Sequence, residues 1–176
     1  MRLLLPRITI SSIKRIHDIV CDLVEEYGTN DPIELAKALG VMVVYKDLGE
    51  LSGMYLQYKG KHIILLNENL EQHDMILACA HELGHMVYHS DLIKEPFLCS
   101  FKVFDFKDRA EYEANVFAAH LLINDDQLLS VLQEGYDLIH AAMLLEVNPI
   151  LLNIKLCEMN KEGYCFDTSW NSTRLN

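Results

Sequence analysis

Apolar residues recur at helical spacing from early in the chain. Ile13, Ile16, Val20, Leu23 and Val24 share one face of a helix predicted over 12–27, with Ser11 or Ser12 as its cap and Gly28 as its stop. A second helix opens at Asp31, with Pro32 at its first position and Glu34 placed to close a capping box, and it stops at Gly40. The period then changes. Segments 41–45, 53–58 and 62–66 are short, rich in Val, Ile and Tyr, and bounded by turn residues, with Lys59-Gly60 marking a hairpin between the last two. They predict a small antiparallel sheet of three strands. Helical spacing returns over 70–89. A mixed segment, 91–107, carries Phe97, Phe101, Phe104 and Phe106, which read as core packing ahead of cleft lining. Further helices are predicted over 108–123, 125–133, 136–146 and 149–159. From Gly163 onward little pattern remains, and that tail is expected to be loose. The whole reads as an α+β chain, mainly helical. A domain occupies 1–124, a C-terminal helical unit of helix-turn-helix form packs on it over 125–160, and a flexible tail covers 161–176.

Composition narrows the function. With 176 residues, 51% of them hydrophobic, the chain can bury a core of its own. A net charge of -11 without any basic stripe argues against nucleic acid or an anionic membrane as partner. No run approaches the ~20 apolar residues of a membrane span. The run Leu3 to Leu5, cut by Pro6 and Arg7, is too short for a secretory signal. Five cysteines, odd in number, widely spread and without a CxxC pair, read as reduced thiols in the cytoplasm, mostly core filler.

The chemistry sits at His81-Glu82-Leu83-Gly84-His85, an HExxH string. Two histidines four apart on a helix stack on one face, so both imidazoles reach one metal, and the adjacent glutamate reaches a water beside it. With 8 histidines in the chain, the string arises by chance roughly 3% of the time, so its surroundings must decide. On a helical wheel His81, His85, His89 and Glu82 share one arc, flanked by Ala78, Cys79 and Met86, while Ile76, Ala80, Leu83 and Val87 hold the other. A solvated face would carry Lys, Arg and Asp as well. A buried metal face fits better.

Catalytic zinc takes three protein ligands and leaves one position for water. His89 lies about 12 Å along the helix from His81, too far to share an ion, and reads as a supporting residue. The next helix offers Glu111 and Glu113. Glu111 falls inside that helix's apolar arc, with Ala118 and Leu122, where a carboxylate is costly unless paired or bound to metal. Glu113 falls beside His120 on the other side and reads as half of a surface pair. Glu111 is therefore the expected third ligand. Asn115, one turn on, is placed to hydrogen-bond a ligand and fix its orientation.

The HExxH helix at 81–85, followed by Glu111-Tyr112-Glu113-Ala114-Asn115-Val116-Phe117-Ala118-Ala119 and on to Leu122, resembles the ImmA/IrrE family of metallopeptidases. The likeness also takes in Asp31-Pro32, the three strands and the Asn67 region, roughly 12–159. It implies a gluzincin-like site with Zn2+ on His81, His85 and Glu111, and Glu82 as general base. It implies a protein substrate too, with a helix-turn-helix transcriptional repressor of a prophage or mobile element as the expected target. One departure stands out: Ile123-Asn124 replaces the proline that often follows the Leu-Leu pair.

The expected reaction is peptide hydrolysis, in which Glu82 accepts a proton from water and later delivers it to the leaving amine. Tyr112, Tyr136 and His140 are open candidates for stabilising the oxyanion, and the strand 62–66 is a candidate edge for an extended substrate. Two other readings compete. One is a zinc protein with weak catalysis that acts by binding its partner. The other is a DNA-binding regulator using 149–159, but Lys155 is the only basic residue there among Ile150, Leu151, Leu152, Ile154 and Leu156, a helix built for burial.

Overall fold

The computed structural model describes residues 15–90 and 109–169. The predicted cap at Ser11 or Ser12 and the four phenylalanines lie outside that range. Helix α1 (Ile16–Tyr27) ends at Gly28, whose φ of 69° lets its N–H return to the Val24 carbonyl at 2.9 Å. Helix α2 (Pro32–Ala38) is capped as its sequence predicts: Asp31 Oδ1 accepts from the N–H groups of Ile33 and Glu34 at 2.8 and 2.9 Å. The capping box does not close. The Thr29 hydroxyl stands between its two ends, donating to Glu34 at 2.9 Å and accepting from the Asp31 N–H at 3.1 Å.

Strands β1 (Met42–Lys46), β2 (Gly53–Tyr58) and β3 (Lys61–Asn67) form one sheet in the order β1-β3-β2. The predicted hairpin joins β2 to β3, with Lys59 and Gly60 both at positive φ, 49° and 73°, as a two-residue turn of the tight hairpin type requires. The sheet is mixed, however, and not wholly antiparallel: β1 runs parallel to β3, from Met42↔Ile63 to Lys46↔Asn67. The cause is the link 47–52. It carries the chain past the place next to β1, which β3 then fills. Asn67 holds this link, donating from its side chain to the carbonyls of Gly49 and Leu51 at 3.0 and 2.8 Å.

Tyr55, Ile64 and Leu66 are buried on the sheet face against α3 (Gln72–His89). The middle of α3, from Leu77 to Met86, is buried on every side, so this is a core helix. Its other flank packs on α4 (Arg109–Leu122). Gly84 permits the approach, because a Cβ there would lie 2.9 Å from Ala114 Cα and 3.0 Å from its carbonyl oxygen.

Helices α1 and α7 (Pro149–Lys161) cover α4. Between α4 and α7 come α5 (Asp125–Gln133), capped by Asn124 through the Gln127 N–H at 3.0 Å, and α6 (Leu138–Leu144). The asparagine that replaces a proline thus starts a helix. Helices α6 and α7 meet at 110°, and α7 buries Leu151, Leu152, Ile154, Leu156 and Met159. Past α7 the Asn160 side chain brackets the Phe166 backbone, accepting from its N–H at 2.7 Å and donating to its carbonyl at 2.9 Å. Of the described cysteines only Cys79 is buried; Cys21 and Cys165 are exposed, which corrects the reading of the thiols as mostly core filler.

Candidate metal centre

Helices α3 and α4 bring His81, His85 and Glu111 to one point. The two Nε2 atoms stand 3.0 Å apart, and Glu111 places Oε2 at 3.3 Å from His81 and Oε1 at 3.5 Å from His85. Ligand atoms bound at ~2.0–2.1 Å around a tetrahedral ion lie about 3.3 Å from each other. The spacing therefore fits an ion held among the three. Burial supports the fit: His81 is 1% exposed, His85 3% and Glu111 9%. Glu111 Oε2 has no hydrogen-bond partner among the described residues, although it is buried. Two imidazoles and a carboxylate form a donor set that suits zinc among the divalent ions.

Each histidine is oriented through its far nitrogen. His81 Nδ1–H donates to Asn115 Oδ1 at 3.0 Å, which leaves the Nε2 lone pair for an ion. His85 Nδ1 meets His89 Nδ1 at 3.3 Å, and His89 Nε2–H donates to Glu113 Oε2 at 3.1 Å. Arg109 Nε–H donates to the other Glu113 oxygen at 2.7 Å. The chain His85–His89–Glu113–Arg109 turns His89 towards Glu113 and sets it as a support for His85. It also corrects the expected Glu113–His120 pair. Glu113 serves His89, and His120 Nδ1 instead accepts from Lys155 Nζ at 2.7 Å. The available signal was His89 itself, one turn past His85 on the same arc.

Glu82 lies against β2. Its carboxylate is 1% exposed and Oε2 has no partner among the described residues, while the Tyr55 N–H is directed at it. The ladder explains this direction. Asn67 N–H donates to the Ser52 carbonyl at 3.0 Å, so the Gly53↔Leu66 and Tyr55↔Ile64 pairs are the non-bonded ones and turn their polar groups away from β3. The Tyr55 N–H thus emerges on the outer edge of β2, where Glu82 meets it. Gly53 leaves room for this contact: a Cβ there would lie 3.1 Å from Glu82 Cγ.

The two carboxylates titrate in opposite directions. Burial pushes Glu82 up to about 7, against the pull of His81 and the Tyr55 N–H. Burial also works on Glu111, but the adjacent imidazoles of His81 and His85 outweigh it and bring the group down to about 2. One carboxylate is tuned as a base near neutrality and the other is kept charged.

The remaining candidates go elsewhere. Tyr112 donates to Glu158 on α7, His140 pairs with Asp137 at 2.8 Å on the surface, and Tyr136 is exposed. Strand β3 is the central strand, so it offers no edge to a substrate; among the described residues β2 is an edge strand. A second cluster was not anticipated. His17, His120 and Asp125 could also hold an ion, yet the Lys155 ammonium is buried among them, paired with Asp125 and donating to His120.

An HExxH helix with a glutamate of α4 brought beside both histidines, over a small sheet whose edge strand borders Glu82, is the arrangement of a metallopeptidase site. The IrrE N-terminal-like domain family model matches residues 36–156, and the chain belongs to the ImmA/IrrE family of metallopeptidases. It is 29% identical over 156 residues to Metallopeptidase ImmA of Bacillus subtilis (strain 168), covering 86% of this chain and 90% of that one. It is 36% identical over 104 residues to Uncharacterized immunity region protein 2 of Bacillus phage phi105, covering 58% of this chain and 65% of the relative.

Proposed function

We propose that this metallopeptidase is a cytoplasmic, zinc-dependent endopeptidase whose substrate is a helix-turn-helix repressor of a prophage or mobile element. The observation that carries the catalytic part is the set of three ligand atoms 3.0 to 3.5 Å apart, beside a buried glutamate with an open oxygen. The similarity to a phage immunity-region protein supports the choice of substrate.

His81, His85 and Glu111 hold the ion. When bound, it supplies Lewis-acid chemistry, acidifying a water molecule and polarising a carbonyl. Glu82 accepts the water's proton at Oε2 and later returns it to the leaving amine, and a pKa of about 7 suits both halves. The Tyr55 N–H steadies the carboxylate. Asn115 and His89 keep the imidazole rings turned inward. The substrate runs extended along the outer edge of β2, beside Glu82 and Gly53.

The test is metal content by mass spectrometry on wild type, Glu111→Ala, Glu113→Ala and Glu82→Gln, followed by cleavage of a repressor encoded in the same element. The expected result is about one zinc per chain in wild type and Glu82→Gln, loss of tight binding in Glu111→Ala only, and no cleavage by Glu82→Gln. If Glu82→Gln inactivates the repressor as well as wild type does, the protein acts by binding and not by hydrolysis.

A further inference from the structure

A groove of about 520 Å³ opens on the N-terminal side of the α3 segment that carries His81, between the first turn of α3, the last turn of α4 and the turn joining α6 to α7. Ile76, Leu77, Leu122, Leu145, Val147 and Leu151 form its apolar lining. Leu122 lies ~16 Å along α4 from Glu111, whereas Leu77 lies ~6 Å along α3 from His81, one turn before it. Just before the lining Leu145, Met143 and Leu144 are 70% and 56% exposed, which extends the apolar surface outward.

Among the described residues that line or border this groove, the charged side chains are acidic. All its walls come from two stretches, 62–93 and 110–154, and neither contains a lysine or an arginine. Both contain acids, and Glu71, Asp74 and Glu146 are exposed at or beside the rim. Helices α4 and α6 present their C-terminal, negative ends here. The positive ends of α3 and α7 are offset by Glu71 and Asp74 and by the Asn148 cap, which accepts from the Ile150 N–H at 2.8 Å. An apolar trough within an acidic rim is complementary to one kind of surface: a helix with an apolar stripe flanked by Lys and Arg.

We propose that this groove docks a cationic amphipathic helix of a protein partner. On the peptidase reading, that helix belongs to the substrate and anchors it. The docking itself does not depend on that reading, because it is tested by binding and not by cleavage.

The probe is a labelled, stapled three-turn peptide with Leu at i, i+3, i+4 and i+7 on one face and Lys on the other. A matched peptide carries Glu in place of Lys. Fluorescence anisotropy on the full chain reads the affinity. The Lys peptide is expected to bind at least about tenfold more tightly than the Glu peptide, with affinity falling as salt rises. Leu122→Asp is expected to abolish binding. Should that variant fold poorly, the surface pair Asp74→Lys with Glu146→Lys is expected to weaken binding about tenfold at unchanged helicity and metal content. The pair Glu25→Lys with Glu26→Lys, on exposed positions of α1, makes the same change in net charge away from the groove and is expected to leave most of the affinity. Equal losses from the two pairs would reduce the attraction to bulk charge and overturn the proposal. So would equal binding of the Glu peptide. Tighter binding of a peptide of residues 1–14, which carries Arg2, Arg7 and Lys14, would assign the groove to the chain's own N-terminal segment and overturn it too.

Discussion

Glu82 and Glu111 are the same side chain put to opposite uses. What separates them is the neighbour each meets: Glu111 faces two imidazoles, while Glu82 faces the edge of a strand. The position of Glu82 depends on a residue without a side chain. At Gly53 an added methyl would press on Glu82 Cγ at 3.1 Å and Oε1 at 3.3 Å, and on the Leu65 carbonyl at 3.3 Å. The flexible glutamate yields before the ladder does. Gly53→Ala is therefore expected to keep its metal and its KM, and to lose about tenfold in kcat through displacement of the base. Loss of metal together with activity would show that Gly53 supports the fold and not the base. The grouping of His81, His85 and Glu111 was legible in the sequence, because helical periodicity turned all three inward, while the rise along the helix set apart His89, which shares their arc. The contacts of Gly53 and Tyr55 with Glu82 were not legible, since nothing in a strand's alternation states which helix lies along its edge. Nor was the His89–Glu113 contact, which spans two helices separated by a long connection.

At the scale of elements, the metal centre requires that α3 and α4 approach closely. Gly84 and Ala114 form the point of contact, with backbone within 3.0 Å of where a Cβ would stand. Backbone atoms of a packed helix cannot give way as a side-chain tip does. Gly84→Ala is expected to cost about 1–3 kcal/mol of stability and to weaken metal binding, as read by thermal unfolding and zinc titration. Wild-type values for both would refute a tight crossing. The helices and the β2–β3 hairpin were predictable because caps, stops and turn residues are local: Asp31, Gly28 and Lys59-Gly60 each act within a few positions of themselves. The direction of β1 was not predictable in that way. It is settled by where the link 47–52 lands and by Asn67 reaching back to hold it, contacts made across more than a dozen residues.

For the molecule as a whole, the cluster at His17, His120, Asp125 and Lys155 ties α1, α4, α5 and α7 into one body. Burial, then the Lys155 and His17 charges, holds His120 down at about 3. That is below the ~6.5 of an unfolded imidazole, so the unfolded chain takes up the extra proton between the two values. The resulting stability is complete above about pH 6.5 and is lost as pH falls towards 3. Urea unfolding at pH 7.5 and pH 5 is expected to show wild type losing about 1–2 kcal/mol more than His120→Gln over that interval. An equal loss in both would mean that His120 is not held neutral.

The same cluster bears on how the protein takes up the correct metal equivalent. With two constellations of histidine and carboxylate among its described residues, the chain faces a problem of loading fidelity, since Irving–Williams affinity alone does not choose between them. Here one of the two already contains an ammonium group of its own, and that resident charge turns away a divalent competitor. Wild type in excess zinc should accordingly hold one tight equivalent. Lys155→Met should admit a second, and adding His17→Ala should remove it again. A second tight equivalent in wild type would mean that the lysine guards nothing.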